Sequence, residues 1–453
     1  MLVAGVDSST QSTKVVLCRA EDGAVVARAS APHPEGTECD PRHWWEALGR
    51  ARELLERADA VSVAAQQHGM VALDEGGAVV RPALLWNDTR SAPQALALRE
   101  EFGRRFWAER VGSVPVASFT VTKLRWMAEH EPENARRTAA VLLPHDWLTW
   151  RLGASEYVTD RGDASGTGYW SPGGYLPELA GAALGHEPRL PRVAAPGEAV
   201  GETGWGALLA PGTGDNMGAA LGLGLRDGDV AVSIGTSGTA FAVAGKPAAD
   251  PGGFVAGFAD ATGRFLPLVC TLNAARVLSS AAELTGTDLD GLSAAALAAE
   301  AGAGGLTMLP YLDGERTPDR PDATGVLAGL TTANATRENL ARAAVEALLC
   351  SLADAVDHLA GQGVRPRRTL LIGGGARSAA VRALAPAILG TPVIVPEPEE
   401  YVALGAARQA AWVLAGTAEP PDWPEAPSTR HIAGPADASD VRARYAALRD
   451  AST

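Results

Sequence analysis

Lysine is nearly missing from this 453-residue chain. Of its 39 basic residues only Lys14, Lys123 and Lys246 are lysines, and arginine carries the rest. This balance reads as genome composition. No basic run occurs and the formal net charge is −14, so nothing recommends a nucleic acid or an anionic membrane as partner. A polyanion site in such a chain must come from local dipoles or a metal ion. Cysteine is also sparse: Cys18, Cys39, Cys270 and Cys350 form no C-x-x-C pair. Reduced thiols in a cytoplasmic protein are expected, rather than disulfides or zinc. There is no apolar run of about 18 residues to cross a bilayer. No basic segment leads into an apolar run and cleavage site, so a signal peptide is not expected. Several catalytic motifs are missing too. The one Gly-Lys, Gly245-Lys246, is followed by proline, which rules out a Walker A loop. No G-x-G-x-x-G opens a helix after a strand, and neither H-E-x-x-H nor G-x-S-x-G occurs.

What the chain does contain is a near-repeat. Residues 4–17 read AGVDSSTQSTKVVL and residues 230–243 read VAVSIGTSGTAFAV. Each alternates apolar residues around a Ser/Thr/Gly turn, the pattern of a β-hairpin whose turn offers hydroxyls and backbone N–H groups. Two such hairpins, one per half, can grip a polyphosphate from both sides of a cleft. Elsewhere strands and helices alternate, which predicts an α/β protein. Extended segments are expected at 24–29, 60–65 and 369–372. Helices are expected at 43–57, 215–223 and 338–360, the last capped by Asn334 or Thr336, and a tail helix at about 439–449. Glycines cluster at 210–229 and suggest a hinge. The expected domains are therefore 1–222 and 223–453, with a tail from about 416.

In the alignment of the two turns Thr236 falls on Thr10, Thr239 on Thr13, and Asp7 on Ser233. Only the first turn supplies an acid. Asp7, at a strand end before a hydroxyl-rich turn, is a candidate to hold Mg²⁺ through water. Thr10 and Thr13 are candidates for the phosphates. Asp215-Asn216 lies among glycines just before the second hairpin. Asp215 fits either a helix N-cap or the carboxylate a kinase needs to orient its acceptor hydroxyl. Gln67-His68, at the end of the 60–65 strand, and Trp86, before Asn87 and Asp88, suit a hydroxyl-rich ligand. They are equally compatible with structural hydrogen bonding and a buried ring. A third strand runs into Gly373-Gly374-Gly375-Ala376.

The chain resembles the FGGY carbohydrate kinases of the actin/hexokinase-like ATPase superfamily. Ser118-Phe119-Thr120-Val121-Thr122-Lys123-Leu124-Arg125-Trp126-Met127 fits the first family signature. Gly325-Val326-Leu327-Ala328-Gly329-Leu330, with Asn339-Leu340 and Ala343-Ala344-Val345-Glu346, fits the second. QHG at 67–69, LLWNDTR at 84–90, LLPHDWL at 142–148, GDNMGA at 214–219, SIGTSGT at 233–239, LPYLDGERTP at 309–318 and LIGGGARS at 371–378 follow in the family's order. The resemblance implies two ribonuclease-H-like domains closing on ATP and a sugar. It implies Asp215 as catalytic base for the 5-hydroxyl of D-xylulose, with Gln67, His68 and Asn216 on the sugar and Asp7 organising Mg²⁺. Thr10, Gly235 and Thr236 would line the phosphates, and Gly374, Gly375 and Ala376 the adenosine. Where the family often has Met, this chain has Gln67, whose amide can add a hydrogen bond to the sugar. Alternative acceptors are ribulose, gluconate or glycerol, and a non-catalytic sugar sensor is a further alternative. Partners are expected to be small molecules, with a homodimer as the assembly considered.

Overall fold

The computed structural model describes residues 1–434 and 438–452. Residues 435–437 and 453 of the expected tail lie outside the described residues. Two compact units form. One comprises Met1–Leu225, Ala244–Leu266 and Glu399–Glu425, the other Arg226–Val243, Pro267–Pro398 and Ala426–Thr453.

In the first unit, β1 (Leu2–Ser8) and β2 (Ser12–Arg19) make the expected hairpin, in register from Leu2 opposite Arg19 to Ser8 opposite Thr13. β3 (Val25–Pro32) continues the sheet antiparallel to β2, and β4 (Ala60–Ala65) runs parallel to β1. Every residue of β4 is buried, as a central parallel strand of small, mostly apolar residues requires, with its one polar residue, Ser62, donating to Gln409 Oε1 at 2.6 Å. The helix expected over 43–57 is instead two, Pro41–Gly49 and Arg52–Leu55. Asp40 caps the first, and the chain breaks just after Gly49, the poorest helix former in the segment. Trp44, Leu48, Ala51 and Leu55 still reach the core.

Segments 244–266 and 399–425 lie beyond the boundary expected near 222 yet belong to this first unit. Glycine explains the second of them. Helix Tyr401–Ala415 packs on β1, β4 and helix Asp215–Gly222 at backbone-to-backbone distance. A Cβ at Gly5 would lie 1.9 Å from the Ala403 carbonyl oxygen, and one at Gly405 would lie 1.8 Å from that of Gly218. No other residue type permits such an approach.

The second unit repeats the plan. β5 (Asp229–Ile234) and β6 (Gly238–Ala242) form the second hairpin, with β7 (Phe265–Thr271), which belongs to this unit from Pro267 on, antiparallel beside β6. β8 (Arg368–Ile372) runs parallel to β5 and β9 (Val393–Pro396) parallel to β8, with β10 (Ser428–His431) antiparallel to β9. The long helix Arg337–Gly361 starts where Thr336 accepts a hydrogen bond from the Asn339 amide at 3.1 Å, so Thr336 and not Asn334 is the cap. The tail helix Ser439–Ala451 is tied down by Arg449 to Asp354 at 2.5 Å and by buried Tyr445.

Candidate active site

Three adjacent parallel strands of the first unit end at the same level. In register, Asp7 and Ser8 of β1 lie beside Ala64 and Ala65 of β4, and Thr213 and Gly214 lie beside the same two residues on its other side. The sheet therefore delivers Asp7, Gln66-Gln67-His68 and Asp215 to one edge, the carboxyl end where open α/β sheets bind ligands. Gly214 is the N-cap of helix Asp215–Gly222. Asp215 thus occupies the first helical position and does not serve as the cap.

Asp215 is part-buried. Its Oδ1 accepts from the Asn216 amide at 2.7 Å and from Asn216 Nδ2 at 2.8 Å. Asn216 Nδ2 also donates to Gln67 Oε1 at 3.0 Å, which leaves the buried Gln67 Nε2 without a partner. Burial pushes the Asp215 carboxyl up to about 6, against the pull of the Asn216 bonds. Asp7 is buried with Oδ1 unpartnered. Burial, and then the charge of Asp215, push it up to about 7.

His68 has a left-handed backbone, φ 66°. Its Nδ1 sits 2.7 Å from the Gly166 carbonyl oxygen, to which it donates, and its ring stacks on Phe119 with centroids 4.8 Å apart. Trp86 is half-buried and donates from Nε1 to Thr10 Oγ1 at 2.8 Å. The indole thus leans on the first turn. Thr13, expected on the phosphates, turns inward instead. It is fully buried, with its hydroxyl 2.8 Å from His33 Nε2. His33 also reaches the Ser9 carbonyl oxygen at 3.0 Å, so the Thr13–His33 pair braces the turn from beneath.

In the second unit β5 and β8 end together, Ser233 beside Ile372. The turn after β5 exposes Thr236 and half-exposes Gly235. The amides of Ala275 and Ala274, at the start of helix Ala275–Thr285, bond the Gly235 and Thr236 carbonyl oxygens at 2.8 and 3.2 Å. The turn after β8 presses onto the end of β5. A Cβ at Gly373 would meet the Ile234 carbonyl oxygen at 2.7 Å, and one at Gly375 would meet Ile234 Cγ2 at 2.2 Å. Gly374 has open space around it, whereas Gly375 and Ala376 are buried.

Sequence reasoning passed over a buried polar set beneath Asp215. His145 Nδ1 lies 3.1 Å from Asp146 Oδ1 and 3.4 Å from Asp163 Oδ2, and its Nε2 lies 3.5 Å from Asp160 Oδ1. Asp160 Oδ2 accepts from Thr213 Oγ1 at 3.1 Å, two residues before Asp215. Burial holds the imidazole neutral, down at about 3, and pushes Asp160 up to about 6 and Asp146 and Asp163 well up. The family segment LLPHDWL carries His145 and Asp146, but neither it nor the acids of 159–163 show burial, since the same residues occur in a solvated turn.

Two sheet-centred α/β units, each carrying a hydroxyl-bearing hairpin turn at the carboxyl end of its parallel strands, are the plan of the actin-like ATPase fold. Residues 2–230 match the N-terminal domain, and residues 230–414 the C-terminal domain, of the FGGY family of carbohydrate kinases. The chain belongs to that family and is a sugar kinase, with ATP as the phosphoryl donor the class implies. It is 50% identical over 435 residues to a xylulose kinase of Streptomyces coelicolor, covering 92% of this chain and 88% of that one. It is likewise 50% identical over 436 residues to a xylulose kinase of Streptomyces rubiginosus, with the same coverage. The crystal structure of xylulose kinase from Bifidobacterium adolescentis superposes with a TM-score of 0.93 at 46% identity, over 99% of both chains.

Proposed function

We propose that the protein transfers the γ-phosphoryl group of ATP to the 5-hydroxyl of D-xylulose, giving D-xylulose 5-phosphate. The observation that carries this reading is the Asp215–Asn216–Gln67 chain of hydrogen bonds at the carboxyl edge of the first sheet. Both bonds to Asp215 fall on Oδ1, so Oδ2 is the oxygen that takes the proton of the acceptor hydroxyl. A carboxylate at about 6 is charged at neutral pH and a better base than a solvated aspartate. The loose transition state of phosphoryl transfer asks mainly for position and a late proton acceptor. Gln67 Nε2, buried and unpartnered, and His68 then hold sugar hydroxyls. Half identity to two xylulose kinases supports the ketose.

Asp7 fits a divalent cation, because its buried Oδ1 has no hydrogen-bond partner and burial disfavours its charge. Mg²⁺ is bound by one or two carboxylates together with substrate phosphates and water. Among the described residues no group of three or more His, Cys, Asp or Glu side chains gathers for a metal, so Asp7 would share the ion with the nucleotide. When bound, the ion would neutralise phosphate charge. Thr10, Gly235 and Thr236 are assigned to the phosphates and Gly374 to the nucleoside. Gly375 and Ala376 shape that turn from below, and Thr13 is not assigned a ligand.

The test is ADP release with Mg-ATP across a panel of sugars and polyols. D-xylulose should be turned over in preference to ribulose, gluconate and glycerol. Activity on gluconate or glycerol without activity on xylulose would overturn the substrate assignment, and no acceptor-dependent turnover would overturn the kinase reading itself.

A further inference from the structure

The strained backbone at His68 raises the question of what holds it. A non-glycine residue in the left-handed region persists only where its surroundings fix it. Thr120, Lys123, Phe119, Phe258 and Gly166 converge on His68, the Phe258 ring with its centroid 5.7 Å from the imidazole. Thr120 Oγ1 donates to its carbonyl oxygen at 3.2 Å, and Lys123 Nζ donates to the same oxygen at 3.3 Å. The Phe119 ring stacks on the imidazole and the Gly166 carbonyl takes its Nδ1 proton. Three of these groups come from one segment, 119–123, inside the first family signature.

Lys123 is fully buried, as is Thr120. A buried ammonium is tolerated only when its donors are satisfied. Lys123 places one donor on His68 and another on the Ser118 carbonyl oxygen. A compact ammonium with three donors can bridge two such carbonyls from within a packed helix, whereas a planar guanidinium is bulkier and differently shaped. This is one of only three lysines in a chain that otherwise uses arginine.

We infer that Lys123, seconded by Thr120, is a positioning residue for sugar binding: it locks the His68 carbonyl, and with it the left-handed turn that aims the imidazole at the acceptor sugar. The inference rests on the proposed reading of His68 as a sugar contact. Lys123 itself touches no substrate. Its loss therefore acts on sugar affinity through His68 and leaves the nucleotide side alone.

A double-mutant comparison tests this on the full chain, with D-xylulose and Mg-ATP as substrates. Lys123→Met should raise KM for xylulose by about tenfold or more with KM for ATP unchanged, and Thr120→Val should raise it by about two- to fivefold. Lys123→Met made in a His68→Ala background should add no more than about twofold, because the two residues act as one unit. If the Lys123 and His68 effects multiply, or if KM for ATP rises in step with KM for xylulose, the inference is overturned. If Lys123→Met does not fold, Thr120→Val alone and in the His68→Ala background decides by the same criteria. An unchanged KM for xylulose in His68→Ala would instead remove His68 from the sugar site, and the inference with it.

Discussion

The proposed role of Asp215 rests on how its two carboxylate oxygens are partnered. Asn216 occupies Oδ1 from both its backbone and its side chain, which in the proposed reading leaves Oδ2 for the acceptor hydroxyl. Asp215→Asn should keep KM for the sugar near its original value and lose about 10²-fold or more in kcat, since positioning supplies the remainder. Steady-state ADP release measures both constants, and a kcat within a few-fold of the unmodified enzyme would remove Asp215 from the base role. Because burial pushes its carboxyl up to about 6, the base is lost as pH falls through that value. The logarithm of kcat/KM for the sugar should fall on the acid side with a limb near pH 6, and this limb should vanish in Asp215→Asn. At this scale the sequence singled out Asp215 as a polar residue among glycines but left open a helix cap, a place that Gly214 takes. It was misleading at Thr13, whose alignment with Thr239 says nothing about which way a β side chain faces. It was silent at His145, Asp160 and Asp163, because burial of an acid leaves no mark in the sequence.

At the level of elements, the site depends on three strand ends being level, and that depends on what packs behind them. Helix Tyr401–Ala415 lies against β1 and helix Asp215–Gly222 through glycines, and its Gln409 reaches the Gly212 carbonyl oxygen at 3.0 Å. Gly405→Val puts a branched side chain where a single Cβ already lies 1.8 Å from a backbone oxygen. Overpacking costs about 1–3 kcal/mol or more, at about 2–4 °C of Tm per kcal/mol in a unit of this size. Calorimetry should show a fall of several degrees, and an unchanged Tm would contradict the close packing. Thr336→Ala, which removes the cap of the long helix in the second unit, should cost about 1 kcal/mol. The hairpins, β4 and the long helix were all readable from periodicity and caps. The return of residues 399–425 to the first unit was not, because glycine-mediated docking is a tertiary event that a local pattern does not encode.

For the whole molecule, the protonation of its interior sets an expectation for stability. Asp7 at about 7, Asp160 and Asp215 at about 6, and Asp146 and Asp163 raised well above the ordinary range all bind protons more tightly folded than unfolded. The unfolded carboxylates titrate near 3.9, so between about pH 4 and 7 the folded chain holds the larger number of protons and stability falls as pH rises. His145 and His33, both lowered by burial, oppose this trend only where an unfolded histidine is still protonated. A net charge of −14 adds self-repulsion in the same direction as the carboxylates. Without ligands, Tm should therefore fall between pH 6.5 and 8, and a rise over that interval would contradict the assignment of buried protons.

The central claim is the identity of the bond made. Phosphorus NMR of the product formed from D-xylulose and Mg-ATP tests it most directly. The account predicts one new phosphomonoester coupled to the two protons on C5, with ADP released in equal amount. A phosphate coupled to the C1 protons, or ADP formed with no sugar phosphate, would contradict it.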